Sequence, residues 1–520
     1  MSTLFNEKLA HFWKDASGAI AIGFVFLALP LILVVGVALD YSQGAALKNK
    51  LQIATDAALL AAAKSAYADN IQQAKADLRN YITASIPDAQ LIGEPVFDPD
   101  GTSVCVTAQA SYNTVLMGMF GYPTMQVVSH GCTKFNLKTF EIAIVLDMST
   151  SMSSMTTANG VSVSKIQVAK TAASSLVQTM VDSGASNSVS FSLVPFNSGV
   201  KIGTKYANAA FMDLKGKSSI HWQHFTRPEG AHFLPDSKFD LLRGIKVEWA
   251  GCVEERPLPY LAMDVASDVA IPDTLFVPYM VPDFSPRYLS DTSGSCQLDD
   301  ALYQAEIALK GAKKAKVCAY DNAQPTSTSA PGANCNATAI MTLTRDLPTI
   351  KSEISKLVAN GNTNTLSAFM WGWRTISPNG PFNTQAESET GPQNAKAYGY
   401  VGQNQAKNYK AIVFMSDGDN TWSDYTSLGY TTDKRLGAST STTSVNTYTK
   451  QACQAAKDAG VIVYMVGLNT GGNSISAAGK DVLEKCATSA DHFFMAETGD
   501  QLLQAFNKIA SSMTELRLSN

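Results

Sequence analysis

The sequence has little charge, few histidines and no C-x-x-C pair, and each shortage excludes a class of function. Charged side chains make up 16% of the 520 residues, with six histidines and a formal net charge of −4. No run of lysine and arginine occurs, so the basic surface that nucleic acid requires is missing. Without C-x-x-C spacing, zinc-ribbon and thioredoxin-type chemistry lack their ligands and redox pair. The length is too great for one small core and suits two or three domains.

Cysteine is present but dispersed. Cys105, Cys132, Cys252, Cys296, Cys318, Cys335, Cys453 and Cys486 form an even set of well-separated neighbours. Such a set fits disulfides, and disulfides imply an oxidising compartment. Buried free thiols in a cytosolic protein are the alternative.

Charge vanishes entirely over residues 18–39, GAIAIGFVFLALPLILVVGVAL. A helix of that length, rising 1.5 Å per residue, crosses a hydrocarbon core of about 30 Å and tolerates Pro30. A cleaved signal peptide has a shorter apolar core and a small-x-small site, which does not follow here. Lys8 and Lys14 before the span balance Lys48 and Lys50 after it. The cysteines break the tie: residues 1–17 are expected in the cytoplasm and the C-terminal bulk outside it. Beyond the span, alanine- and leucine-rich sequence continues the helix to about residue 66, and AKADLRNYITASI adds a second helix. SVCVTAQASY and TMQVVSHGCTKF alternate as half-buried strands, with Cys105 and Cys132 as candidate cross-strand partners. Residues 40–135 therefore follow a pilin-like plan, a long helix and a small sheet.

From Glu141 strands and helices alternate. EIAIVLD, SVSFSLVPFNS, ATAIMTLT, YKAIVFMSDGDN, VIVYMVGL and HFFMAE read as strands. SKIQVAKTAASSLVQTMVDSG, SEISKLVANG, TNTLSAFMWGWRTI, TYTKQACQAAKDAG, DVLEKCATSA and QLLQAFNKIASSM read as helices. This predicts an α/β fold over residues 137–520, a doubly wound, mostly parallel, Rossmann-like sheet with helices on both faces. An insertion of about residues 204–336, rich in proline and aromatics, shows no assignable periodicity. Its cysteines allow three connectivities, of which sequence order favours Cys252–Cys296 and Cys318–Cys335. Cys453 and Cys486, on helices flanking one strand, are near enough in fold order to pair.

Ligands of such folds bind beyond the carboxyl ends of the strands, at the switch point. Three motifs stand there: DMSTS at 147–151, GNTNT at 361–365 and SDGD at 416–419. Asp147, Ser149, Ser151, Thr363 and Asp417 supply oxygen alone. Oxygen donors without His or Cys match a hard cation, Mg²⁺ foremost, with Mn²⁺ or Ca²⁺ also accommodated. The set leaves such an ion under-neutralised, which favours a carboxylate from another molecule.

In this order, on a β/α alternation, the three motifs resemble the metal-ion-dependent adhesion site of von Willebrand factor A domains. The resemblance implies that Asp147, Ser149, Ser151, Thr363 and Asp417 hold the cation. Asn362 stands where that family more often has a second glycine. Residues 18 to about 63 resemble the TadE/TadG-like segment of Flp-type tight-adherence pilus assembly, and the whole chain resembles TadG-like proteins. Gly23 occupies the position at which related prepilin-like proteins carry Glu. The resemblance implies a single-pass protein of the inner membrane, assembling or anchoring adhesive pili and contacting a protein partner of the envelope.

Rival readings lack necessary residues. Haloacid-dehalogenase-type phosphoryl transfer needs a second Asp where Ser149 stands. A serine hydrolase needs G-x-S-x-G and a later His. An EF-hand loop from Asp417 meets Leu428 where Glu belongs. His221, His224 and His232 match no standard zinc spacing and read as loop histidines. Trp371 and Trp373 read as helix packing residues. The chain is thus expected to be no enzyme. The alternatives are an assembly scaffold with a vestigial site and, further off, a metal-dependent hydrolase.

Overall fold

The computed structural model describes residues 17–66, 71–97, 103–134, 138–182, 188–222, 225–226, 236–244, 246–280, 308–309, 331–332, 335, 338–384, 386–388, 391–400, 407–421, 434–436, 441–470 and 474–518. They fall into two compact units, Met1–Phe135 and Asn136–Asn520.

In the first unit, helix α1 (Ser17–Ala66) runs through Pro30 for 50 residues. That is about 75 Å, more than twice a bilayer core. Its first half leaves Phe26, Leu27 and Val34 exposed, while Leu51, Ala58, Leu59 and Ala62 are buried. The buried set recurs at helical spacing, so one stripe faces a core. That core is completed by Ala74, Leu78 and Ile82 of α2 (Ile71–Ser85) and by a small antiparallel sheet. β1 (Gln90–Leu91) and β2 (Val96–Phe97) pair with one edge of β3 (Ser103–Asn113), and β4 (Thr124–Lys134) pairs with the other. Val104, Val106, Ala108 and Ala110 put the inward face of β3 against the helices. Cys105 and Cys132 are directly opposed across β3 and β4 and are bonded to each other.

The second unit opens with β5 (Thr139–Asp147), the hairpin β6 (Met155–Ala158) and β7 (Val161–Ser164), α3 (Lys165–Met180) and β8 (Val189–Phe196). Within the insertion, β9 (Phe225–Thr226) pairs with β10 (Ala308–Leu309), and α4 (Lys238–Gly244) lies between them in sequence. Then come β11 (Met341–Thr344), α5 (Leu347–Ser355), α6 (Thr365–Ile376), β12 (Asn408–Ser416) and α7 (Thr442–Asp458). The unit ends with β13 (Val461–Leu468), α8 (Ala477–Cys486), β14 (Phe493–Ala496) and α9 (Gly499–Leu518).

The six-stranded sheet has the order β11-β8-β5-β12-β13-β14. All pairs are parallel except the edge strand β11 against β8. Helices cover both faces, which explains the uninterrupted apolar runs. In β5, Ile142, Ile144 and Leu146 enter the core with α3, α5 and α9, while Ala143 and Val145 enter the other with α6, α7 and α8. Strand β5 lies between β8 and β12, where the winding reverses, so its carboxyl end is the switch point.

Two local expectations differ from the structure. The helix read at SEISKLVANG begins earlier, at Leu347, because Asp346 caps it by accepting from Thr349 N and Pro348 suits a first turn. The insertion pairs Cys252 with Cys335, contrary to the favoured Cys252–Cys296 and Cys318–Cys335. The reason is topological. The insertion leaves β8 and returns to its sheet neighbour β11, so its two ends meet: Lys201 bridges to Cys252, and its carbonyl accepts from Ile340 N. Cys296 and Cys318 lie outside the described residues. Cys453 and Cys486 join α7 to α8, which stabilises by about 3–4 kcal/mol in a chain-entropy view.

Candidate functional site

Three loops at the carboxyl edge of the sheet build the site, and backbone bonds stitch them together. After β5, Met148 N donates to Phe196 O, and the Met148 carbonyl accepts from Asn360 N at 2.7 Å. Thr150 donates to the Gly361 carbonyl through its N–H at 3.0 Å and its hydroxyl at 3.1 Å. Thr363 N donates to Thr421 Oγ1 at 3.0 Å, and Thr421 N returns a bond to Thr363 O. Gly361 has φ +79° with Asn197 Nδ2 only 2.8 Å from the place a Cβ would take, so glycine is required there. Asn362 has no positive φ. Its N–H donates to Ser198 Oγ, so the loop accommodates asparagine without strain.

The five oxygen-bearing residues read from sequence gather at this edge. Asp147 is fully buried; its Oδ1 accepts from Ser149 N at 2.8 Å and its Oδ2 from Ser416 Oγ at 2.6 Å. Ser149 Oγ and Ser151 Oγ stand 2.9 Å apart, and Ser151 Oγ donates to Asp417 Oδ1 at 2.6 Å. A Cβ built on Gly418 lies 3.9 Å from Ser151 Oγ and 4.0 Å from Thr363 Oγ1, so both hydroxyls converge beside the backbone that follows Asp417. Asp419 of the same motif is engaged elsewhere, accepting from Ser476 N just before α8.

Lys165, Ser416 and Thr421 complete the site and were not singled out by sequence reasoning. Lys165, the first residue of α3, is fully buried and donates from Nζ to Asp417 Oδ2 at 2.8 Å. A signal for it exists: Lys165 shares the helical stripe of Val168, Ala169 and Ala172, a charge on an otherwise buried apolar face. Burial first, and then the neighbouring Asp417 carboxylate, push the Asp147 carboxyl up to about 7. Two buried carboxylates facing one ammonium leave formal negative charge in a place without water's screening. An all-oxygen set with this surplus fits a hard divalent cation.

The other candidates are structural. His221 is buried with both ring nitrogens engaged, Nδ1 with Asp213 Oδ2 at 2.8 Å and Nε2 accepting from Lys238 N at 2.7 Å. His224, His232 and Leu428 lie outside the described residues. Trp371 is buried against Phe276, ring centroids 4.8 Å apart, and Trp373 Nε1 donates to Tyr398 Oη. Cys105, His130 and Cys132 cluster at metal-ligand distance, but the two sulfurs are bonded to each other.

Residues 18–65 match the family described as putative Flp pilus-assembly TadE/G-like. No curated protein matches the chain. Among solved structures, the pilus adhesin SpaC of Lactobacillus rhamnosus GG is similar at 12% identity and a TM-score of 0.32, over 82% of this chain and 34% of that one. The chain thus spans about a third of SpaC. The vWF domain of the type V pili tip protein Mfa5 from Porphyromonas gingivalis is similar at 11% identity and a TM-score of 0.32, over 74% of this chain and 97% of that one. Proximal thread matrix protein 1 of the mussel byssus, described with a zinc-occupied MIDAS motif, is similar at 10% identity and a TM-score of 0.27, over 73% and 47%.

Proposed function

We propose that this chain is a membrane-anchored cell-envelope protein of pilus assembly or adhesion, whose α/β unit recruits a partner protein's acidic side chain through a divalent cation. The observation that carries this reading is the meeting of Asp147, Ser149, Ser151, Thr363 and Asp417 from three loops at the switch point. The TadE/G-like match over residues 18–65 supports the assembly context. Residues 18–39 form the membrane span in this reading, with 1–17 on the cytoplasmic side of the inner membrane and the disulfide-bearing bulk outside.

Ser149, Ser151 and Thr363 would hold the ion through neutral oxygens, and Asp147 and Asp417 through charge, directly or by way of water. When bound, the ion supplies a Lewis-acidic position that accepts one more oxygen ligand. Mg²⁺ suits the set best, with Mn²⁺ or Ca²⁺ as further occupants. The protein's own part is to pre-position the donors: Ser416 and the Ser149 amide orient Asp147, and Ser151 orients Asp417, whose other oxygen Lys165 holds against the ion.

Calorimetric titration of the full chain with Mg²⁺ tests the site. Asp147→Asn is expected to abolish binding with the fold intact by circular dichroism; unchanged binding ends the proposal. A second reading, an assembly scaffold whose site is vestigial, predicts that residues 1–135 alone restore pilus formation in a deletion strain.

A further inference from the structure

The hairpin β3–β4 descends along α1 toward the apolar end of that helix. Near its top, Gly131 lets β4 approach Leu59 and Thr55, and Ser129 Oγ donates to Gln52 Oε1. Lower down, Tyr112 Oη donates to the Asp40 carbonyl at 3.0 Å and stands against Gly44. At the turn, the Asp40 carboxylate accepts from three successive amides, Val115 at 2.6 Å, Leu116 at 3.0 Å and Met117 at 2.9 Å. Leu116 then reaches past Asp40 to Gly36, where a Cβ would stand 2.6 Å from its Cδ2. Gly36 lies three residues inside the apolar segment that ends at Leu39, about 4–5 Å along the axis. The turn is therefore held level with the last helical turn of the apolar segment.

This turn is built unlike a solvent-facing loop. From Ser103 to Ser129 no Asp, Glu, Lys, Arg or His occurs. Val115, Met119, Phe120 and Tyr122 are 62%, 81%, 58% and 61% exposed, gathered around a short 3₁₀ turn at Met117–Phe120 with no buried residue. A contiguous exposed apolar patch of this kind marks an interaction surface. Its place decides the partner, because the patch continues the exposed apolar face of α1, and an aromatic phenol beside it suits the headgroup boundary.

We propose that residues 114–122 form a second membrane contact: the turn lies in the interface of the bilayer that α1 crosses, with Met119 and Phe120 seated among the acyl chains. This rests on the reading of residues 18–39 as the span. The Asp40 clamp fixes the angle between anchor and sheet, so the first unit stands on the membrane at two points. Partition of such a patch is an interfacial, non-spanning attachment.

The test uses the full chain reconstituted in vesicles of phosphatidylethanolamine and phosphatidylglycerol, with a benzophenone side chain introduced in turn at Met119, Leu31 and Val96. Leu31 is exposed within the span, and Val96 is exposed on the strand farthest from the turn. After irradiation and mass spectrometry, lipid adducts are expected at Met119 and Leu31 in comparable yield, and none at Val96. Lipid adducts at Leu31 alone overturn the proposal and leave the anchor standing. Adducts from Met119 to a second copy of the chain overturn it in favour of a protein contact. Equal yields at Met119 and Val96 overturn it because the contact is then not confined to the turn. No lipid adducts at Leu31 overturn both the proposal and the anchor on which it rests.

Discussion

Asp40 and Asp147 each end an uncharged apolar run, and each is buried, yet the two units treat them in opposite ways. Asp40 closes the apolar part of α1 and receives three backbone amides from one tight turn. Its charge is met by fixed dipoles, and what it does is hold two elements together. Asp147 closes β5, receives the Ser149 amide and the hydroxyls of Ser149 and Ser416, and faces a second buried carboxylate. Its charge is left in deficit. A carboxylate that the fold satisfies is a structural clamp, whereas one that the fold leaves short of positive charge is a place for something that brings it.

The contrast can be broken in four ways. Asp417→Ala should have the largest effect, because it strands Lys165 as a buried, unpaired ammonium. Removing one partner of a buried pair costs about 3–5 kcal/mol. Denaturant unfolding of the cation-free protein checks this, and adding Lys165→Met to the same chain should restore much of the loss. Asp40→Ala should come next, freeing the amides of Val115, Leu116 and Met117. Their hydrogen exchange should accelerate while that of β5 and β12 stays unchanged; uniform protection in the variant would remove the clamp from the comparison.

Lys165→Met sharpens the site half of the contrast. Removing the internal ammonium concentrates negative charge on Asp147 and Asp417, so Mg²⁺ affinity should rise by about tenfold or more, 1.4 kcal/mol, in calorimetry. Lower affinity would make Lys165 part of the ion's support and not its competitor. The smallest effect is that of pH. With the Asp147 carboxyl raised to about 7, Mg²⁺ must displace a proton below that value, and affinity should fall by up to about tenfold per pH unit between 7 and 5. The sign for stability is the reverse. A carboxyl whose folded pKa exceeds its unfolded one favours the fold fully below about pH 4, and that contribution is lost as pH rises toward 7. The cation-free protein should therefore lose stability over that window, and Mg²⁺ should return it; a flat profile in both conditions would contradict the assigned environment of Asp147.

Much of the fold was legible because its determinants are local and periodic. The β/α alternation, the glycine-bearing turn at Gly361 and the unbroken apolar runs of β5 and β12 all announce buried parallel strands. That Asp147, Ser149, Ser151, Thr363 and Asp417 stand at one edge of the sheet was legible because switch-point loops follow directly from strand ends. What escaped depends on contacts across the chain. The hairpin β6–β7 left no readable pattern, since alternation over the four residues of each strand is too short a signal. Lys165 meets Asp417, 252 residues away in sequence, only because α3 packs against the end of β12. The Cys252–Cys335 bond needed β8 and β11 to be sheet neighbours before its two ends could meet.

By itself the chemistry of the chain determined that there is a long apolar helix, a parallel α/β sheet and an oxygen-rich rim, because periodicity and side-chain type act over a few residues. Tertiary structure alone decided which carboxylate is satisfied and which is left wanting. That depends on the amides, hydroxyls and ammonium groups that packing delivers from distant segments, and on how completely it removes the water that would otherwise make the two aspartates alike.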